Sequence, residues 1–147
     1  MITVNDLLRA KGHSVYSIEV GASVLKALEL MAEKDIGALL VMDKGNVAGI
    51  FSERDFARLT ARNKAIDLNS PVDNFMTHDI YSVSPDETID ECMALMTTKR
   101  LRHLPVYENR KLVGLISIGD VVKNLVEDKD LLIENMEKYI LGRGYGE

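Results

Sequence analysis

The chain writes G-x-x-S-x-x-D twice, as GIFSERD at residues 49–55 and as GLISIGD at residues 114–120, an offset of 65 residues. The same offset aligns the surrounding sequence without a gap. Val41 falls on Val106, Leu39 on Leu104, Lys34 on Lys99, Leu30 and Met31 on Leu95 and Met96, Tyr16 and Ser17 on Tyr81 and Ser82, and His13 on His78. Such a register marks a duplicated unit. One copy spans roughly residues 10–60 and the other roughly 75–125. Whatever fold serves one copy must serve both, so the positions where the copies differ become informative.

Each copy reads as strand, helix, strand, strand, helix, an α/β pattern that some schemes class as α+β. VYSI (15–18) and IYSV (80–83) are short runs rich in β-branched and aromatic residues, followed by the turn or cap segments EVGAS and SPDET. Apolar residues then recur at spacings of three and four, as Val24, Leu28, Met31 and Ala32 in one copy and as Ile89, Met93 and Met96 in the other, which predicts a helix in each. GALLVMD (37–43) and HLPVYE (103–108) are nearly continuous apolar runs of strand length. Each is joined through a polar turn, KGN or NRK, to VAGIFS or LVGLIS, and so predicts an antiparallel hairpin. Pro105 carries no N–H to donate and therefore requires an edge position or a bulge.

The segment ARNKAIDLNSPVDNFM (61–76) links the copies, with an Asn-Ser-Pro turn inside it. VNDLLRA near the start predicts a short helix. DKDLLIENMEKYIL (128–141) predicts another, with Leu132, Met136, Tyr139 and Ile140 on one face that packs on its own domain or meets a second subunit. The glycine-rich GRGYGE at the end is expected to fray. With the flanks assigned, residues 1–65 hold the first repeat and the N-terminal helix, and residues 66–147 hold the linker, the second repeat and the C-terminal helix.

Composition narrows the function. At 147 residues, 46% hydrophobic and 28% charged, the chain can build a real interior. A net charge of -5 argues against nucleic acid as the main partner. No apolar run approaches the ~20 residues that span a bilayer, and the first residues lack a secretion profile, so no membrane partner and a cytoplasmic location are expected. The single Cys92 excludes an intramolecular disulfide and reads as a small buried apolar residue. His13, His78 and His103 show no ligand spacing, so no metal is expected.

Ser52-x-x-Asp55 and Ser117-x-x-Asp120 each stand where a strand gives way to a helix. The plain reading is a helix cap, in which the serine oxygen and the carboxylate take up free backbone N–H groups. A cap explains neither the preceding glycine nor the repetition. The start of a helix also attracts phosphate, and a carboxylate one turn inside it can accept two hydrogen bonds from the vicinal hydroxyls of a ribose. Together these describe a nucleoside-phosphate pocket.

These segments, with IGALLVMD, LRHLPVYE and SPDETIDECMALM, resemble a tandem pair of cystathionine-β-synthase (CBS) domains, the regulatory assembly called a Bateman module, over roughly residues 10–125. The resemblance implies two βαββα repeats packed about a pseudo-twofold axis, clefts that bind adenine-containing ligands, and a homodimer. It assigns Asp55 and Asp120 to the ribose hydroxyls, and Ser52 and Ser117 to the ribose and phosphate. Val15, Tyr16, Ile80 and Tyr81 fall on the first-strand positions whose backbone and apolar flank receive adenine, with Thr77 just upstream. Ala38 and His103, with Pro105 further along the strand, fall beside the base and phosphates. The rings of Tyr16 and Tyr81 are expected in the core.

The copies differ in charge. Arg54 corresponds to Gly119, whereas Arg102 and His103 correspond to Gly37 and Ala38. Arg54 with Arg58 and Arg102 with His103 could converge on one phosphate from both sides, or the difference could leave one cleft filled and the other empty. Taken singly, Arg58 and Lys11 read as solvated surface cations. A hydrolase built on Ser117, His103 and Asp120 is disfavoured, because the glycines are not spaced as in a nucleophile elbow and the first copy has Ala38 in the base position. A structural interaction or dimerisation module with degenerate pockets is a further alternative. The expectation carried forward is a regulatory sensor, not an enzyme. It would bind AMP, ADP, ATP or NAD, with S-adenosylmethionine behind them, as a regulatory ligand and not a catalytic cofactor, and signal to an unknown target protein by conformational change.

Overall fold

The computed structural model describes the backbone of residues 1–144 and the side chains of residues 1–127, 130 and 133–138. In chain order the elements are α1 (Val4–Lys11), β1 (Ser17–Glu19), α2 (Val24–Lys34), β2 (Ala38–Asp43), β3 (Asn46–Ser52), α3 (Glu53–Asn63), a single 3-10 turn (Val72–Asn74), α4 (Ile89–Lys99), β4 (His103–Glu108), β5 (Lys111–Ser117) and α5 (Ile118–Gly144). The first copy forms a three-stranded sheet in the order β1-β2-β3, and the second a two-stranded sheet, β4-β5.

Both hairpins form as expected, and for the same local reason. Lys44 and Gly45 in one turn, and Asn109 and Arg110 in the other, all have positive φ. Two such residues in succession give the tight turn whose twist matches the flanking strands. The register slips by one residue at the same place in each, between Val41 and Met42 and between Val106 and Tyr107. Pro105 lies opposite Leu115, one residue before this slip; the slip also occurs in the first copy, where Leu40 keeps its N–H, so the proline is not its cause.

The first strand of each copy departs from expectation. In the first copy it starts at Ser17, two residues later than the sequence suggests, and runs parallel to β2. In the second copy it shrinks to a lone bridge between Val83 and Val106. Two prolines explain the loss. In the first copy Leu40 N–H donates to the Tyr16 carbonyl and Val20 N–H donates to the Met42 carbonyl. At the offset of 65 residues the donors would be Pro105 and Pro85, and neither has a hydrogen. Only Val83 N–H to the Pro105 carbonyl and Tyr107 N–H to the Val83 carbonyl remain.

The chain divides into two compact units, Ser14–Ile80 and Met1–His13 with Tyr81–Glu147. The interior of the first gathers Val24, Ala27, Met31, Leu39, Val41, Phe51 and Val72. The helix face thus uses Ala27, while Ala32 is exposed. Within the other unit, Val4, Leu7 and Leu8 of α1 pack with Ile89, Cys92 and Met96 of α4 and with Leu104 and Ile116 of β4 and β5. The 3-10 turn plays the same part in its own unit. Val72 N–H donates to the Ala22 carbonyl beside the start of α2, as Val4 N–H donates to the Glu87 carbonyl beside the start of α4. The segment leading into each repeat is therefore built into the unit that holds the other repeat's hairpin.

The expected separate C-terminal helix is instead continuous with the last helix of the second copy, and α5 runs for 27 residues through Gly144. Of the face expected from Leu132, Met136, Tyr139 and Ile140, only Met136 is among the described side chains, and it is exposed. Leu132, Tyr139 and Ile140 lie outside the described side chains. Of GRGYGE, the first three residues continue α5, and residues 145–147 lie outside the described residues.

Candidate functional site

Both serines cap helices. Ser52 Oγ accepts from Asp55 N–H at 3.1 Å, and Ser117 Oγ accepts from Asp120 N–H at 3.1 Å. The carboxylates then part ways. Asp120 Oδ2 accepts from Ser117 N–H at 2.8 Å, completing a reciprocal capping box. Asp55 Oδ2 instead accepts from the hydroxyl of Thr77 at 3.1 Å. In the second copy the cap reading is thus correct for the carboxylate as well as for the serine, and in the first it is correct for the serine.

The glycine that opens each motif has a steric cause. A Cβ on Gly49 would meet the Thr77 carbonyl oxygen at 2.9 Å and would collide with the Met76 thioether. The missing side chain lets residues 76 and 77 lie against β3, where Ile50 and Thr77 exchange N–H to carbonyl bonds of 3.1 and 2.8 Å. That exchange holds Thr77 within reach of Asp55. A Cβ on Gly114 would meet Leu8 Cδ2 at 2.7 Å, so the corresponding glycine admits α1. The pattern G-x-x-S-x-x-D therefore specifies close approach, a cap and an aimed carboxylate in sequence.

Beside Asp55 lies an open recess of about 190 Å³. Asp55, Arg58, Leu59 and Arg62 follow one another along α3 at spacings of three and four and so share one side of the helix. Phe75, Met76 and Thr77 form the facing wall. A carboxylate, two guanidinium groups and an apolar wall thus surround one space. Sequence reasoning reached Asp55 and Thr77, named Arg58 beside Arg54 as a phosphate-binding group but read it singly as solvated, and passed over Arg62, Phe75 and Met76. The helical spacing from Asp55 was the signal that would have found Arg62 and set it on one face with Arg58.

In the other unit the corresponding carboxylate meets a cation of its own chain. Lys11 Nζ donates to Asp120 Oδ2 and, at 2.8 Å, to the Leu115 carbonyl. Lys11 is therefore not simply solvated, which corrects the reading from sequence. Burial pushes the Asp120 carboxyl up, but the hydrogen bonds from Lys11 and the Ser117 N–H outweigh it and hold the group below the ordinary value of 3.8.

The remaining expected residues are placed as follows. Ala38 and His103 begin β2 and β4, directly opposite Ser52 and Ser117 in the two hairpins. Val15 and Tyr16 precede β1, with the Tyr16 carbonyl taken up by Leu40 N–H. Ile80 and Tyr81 stand at corresponding positions ahead of the Val83 bridge. The tyrosine rings are not in the core, contrary to expectation. Tyr16 is 39% and Tyr81 38% exposed, and the ammonium groups of Lys34 and Lys99 stand 5.5 and 5.2 Å from their ring centres. The lysine that ends α2 or α4 thus holds each ring at the surface. Arg54 and Arg102 are exposed, and Arg54 stands outside the recess wall. Cys92 is fully buried, as expected, and burial pushes its thiol up to about 11. No helix among the described residues is long and apolar enough to cross a membrane.

Comparison with known proteins agrees with this architecture. The family model described as CBS domain matches twice, over residues 4–62 and 72–127. A mitochondrial CBS domain-containing protein of Arabidopsis thaliana is 31% identical, over 97% of this chain and 73% of that protein. The solved structure of a signal-transduction protein with CBS domains from Burkholderia ambifaria superimposes with a TM-score of 0.80 at 46% identity, over 86% of this chain and 95% of that one. The CBS domain pair of protein MJ0100, solved in complex with 5′-methylthioadenosine and S-adenosyl-L-methionine, shares the fold with a TM-score of 0.71 at 21% identity, over 87% of this chain and 98% of that one. With the family model matched in both copies and the repeats built alike, this chain belongs to the CBS-domain family and carries two CBS domains.

Proposed function

We propose that this chain is a regulatory protein that binds an adenine nucleotide, with AMP, ADP, ATP and NAD as the leading candidates and S-adenosylmethionine after them. The carrying observation is the recess beside Asp55. Its carboxylate has a neutral hydroxyl as partner, so its acceptor capacity can pass to the vicinal hydroxyls of a ribose. Arg58 and Arg62 stand on the same helix face to meet phosphate, and Phe75 and Met76 offer apolar surface. Ser52, Ala38, Val15, Tyr16 and Thr77 complete the proposed set around this carboxylate. Ile80, Tyr81, His103, Ser117 and Asp120 are the counterparts of Val15, Tyr16, Ala38, Ser52 and Asp55 in the second copy, with Pro105 beside them and Arg54 and Arg102 as further cations. That a protein of this fold has been solved with two adenosyl ligands supports the reading.

The output is a change in conformation read by another chain, with a homodimer as the working assembly. Val122, Val126, Ile133 and Met136 of α5, all at least 42% exposed, supply apolar surface for such contacts. They also favour the second reading, an interaction module without a ligand. Hydrolysis finds less support, since the Asp120 carboxylate is committed to Lys11 and to a backbone N–H.

Mass spectrometry of small molecules released from the purified protein, with a thermal-shift panel of the five candidates, tests this function. A ligand that binds only the folded state at one hundred times its Kd adds about 2.7 kcal/mol of stability and a clear rise in Tm. No released nucleotide and no shift at millimolar concentration would leave the interaction module standing.

A further inference from the structure

We infer that Lys11 closes the second nucleoside site, so that the chain takes one adenine nucleotide, beside Asp55, and none beside Asp120. This rests on the proposed function and deepens it. The two aspartates occupy corresponding positions in the repeats, and so do Ile50 and Leu115. In the first copy, Thr77 makes two bonds with two different groups. Its N–H donates to the Ile50 carbonyl and its hydroxyl to Asp55. In the second copy one Lys11 ammonium makes both corresponding bonds, to the Leu115 carbonyl and to Asp120.

The exchange changes the chemistry of the site. A threonine hydroxyl is neutral, so a ribose that takes its place on the Asp55 carboxylate swaps one hydroxyl-to-carboxylate hydrogen bond for another of the same kind. An ammonium on a carboxylate adds the attraction of opposite charges to its hydrogen bond, and a neutral sugar that displaced it would leave both charges unpaired. Asp120 Oδ2 carries the Ser117 N–H as well, so a diol would have to break the cap or the ion pair. The surroundings shift in the same sense. At the offset of 65 residues, Lys123 and Glu127 stand where the first copy has Arg58 and Arg62, which replaces one phosphate-binding cation by an acid.

Lys11 is the last residue of α1, whose Leu8 seats against Gly114. Any ligand that did take Asp120 would therefore have to loosen the end of that helix.

The test is isothermal titration with whichever of AMP, ADP, ATP, NAD and S-adenosylmethionine gives the largest thermal shift, on the whole chain and on K11M, with K11Q as the substitute should K11M unfold. The wild type is expected to bind one equivalent per chain, and D55N to lose it by tenfold or more in Kd. The lysine variant is expected to bind two, the second at least tenfold tighter than any binding left in wild-type D55N. Combined with D55N, the lysine variant should keep one site that D120N then removes. Two equivalents in the wild type, or one in both lysine variants, would overturn the closure while leaving nucleotide binding intact. Binding by none of the five ligands to any variant would overturn both.

Discussion

Thr77 Oγ1 donates to Asp55 Oδ2 at 3.1 Å, and Thr77 is held there by a two-way backbone exchange with Ile50 that Gly49 makes sterically possible. Twenty-two residues separate the hydroxyl from the carboxylate, so the contact belongs to the tertiary fold and not to the helix cap. The same carboxylate looks onto a recess that carries two arginines. The functional reading depends on this arrangement.

Adding one methyl group at each motif glycine should separate the two approaches. In G49A the new Cβ meets a backbone carbonyl that cannot turn aside, whereas in G114A it meets the ends of a leucine side chain. Overpacking of this kind costs about 1–3 kcal/mol, and G49A should lie at the upper end with G114A well below it. Urea denaturation of both variants measures the difference. Equal midpoints would show that β3 does not hold residues 76 and 77 as described.

Arg58 and Arg62 are assigned to phosphate, so their removal should depend on what the ligand carries. R58A/R62A is expected to weaken a phosphorylated ligand by tenfold or more, in line with the loss of charge-assisted bonds, and to change adenosine binding by less than threefold. Calorimetric titration with AMP and adenosine reads both. The same comparison for R54A and R102A decides whether those exposed cations take part, and equal loss for both ligands would count against a phosphate role.

The Lys11–Asp120 pair gives stability an acid dependence of known sign. The folded carboxyl lies below its ordinary value of 3.8, so as the pH falls the unfolded chain takes up a proton first. The contribution is therefore present at neutral pH, begins to fade near the ordinary value and is lost as the pH passes through the lowered one. For a partly exposed pair it amounts to about 0.5–1 kcal/mol. Urea midpoints measured from pH 7 to pH 3 should fall less steeply for K11M than for the wild type, and parallel curves would contradict the pairing.

Cys92 should resist thiol reagents in the folded protein. Burial raises its thiol from 9.0 to about 11, so little thiolate exists at neutral pH and none of the side chain is exposed. Stability linked to this group is intact below pH 9 and is lost as the pH rises toward 11, because the unfolded chain ionises first. Labelling with iodoacetamide at pH 8 should proceed only as fast as the chain opens. Immediate labelling would contradict the burial.

Much of this was legible in the sequence because the duplication let each copy check the other. Hairpin turns and the serine caps of the two motif helices rest on contacts between near neighbours, which spacing reveals. The missing strand of the second copy was also written there, in Pro85 and Pro105, but it becomes visible only once the paired donors of the first copy are known. Lys11 on Asp120 was hidden for a different reason. It joins residues 109 apart, and only the packing of α1 against the β4-β5 hairpin brings them together. The exposure of Tyr16 and Tyr81 was equally out of reach, because an aromatic ring beside a short strand fits either a core or a lysine.

The central claim, that Asp55 holds a ribose, meets its most direct test in calorimetric titration of AMP, 2′-deoxy-AMP and 3′-deoxy-AMP against the wild type and D55N. Removing either hydroxyl should weaken binding to the wild type by tenfold or more, as expected for a hydrogen bond to a charged group, and should make little further difference in D55N. If both deoxynucleotides bind the wild type as tightly as AMP, Asp55 does not grip the sugar and the assignment fails.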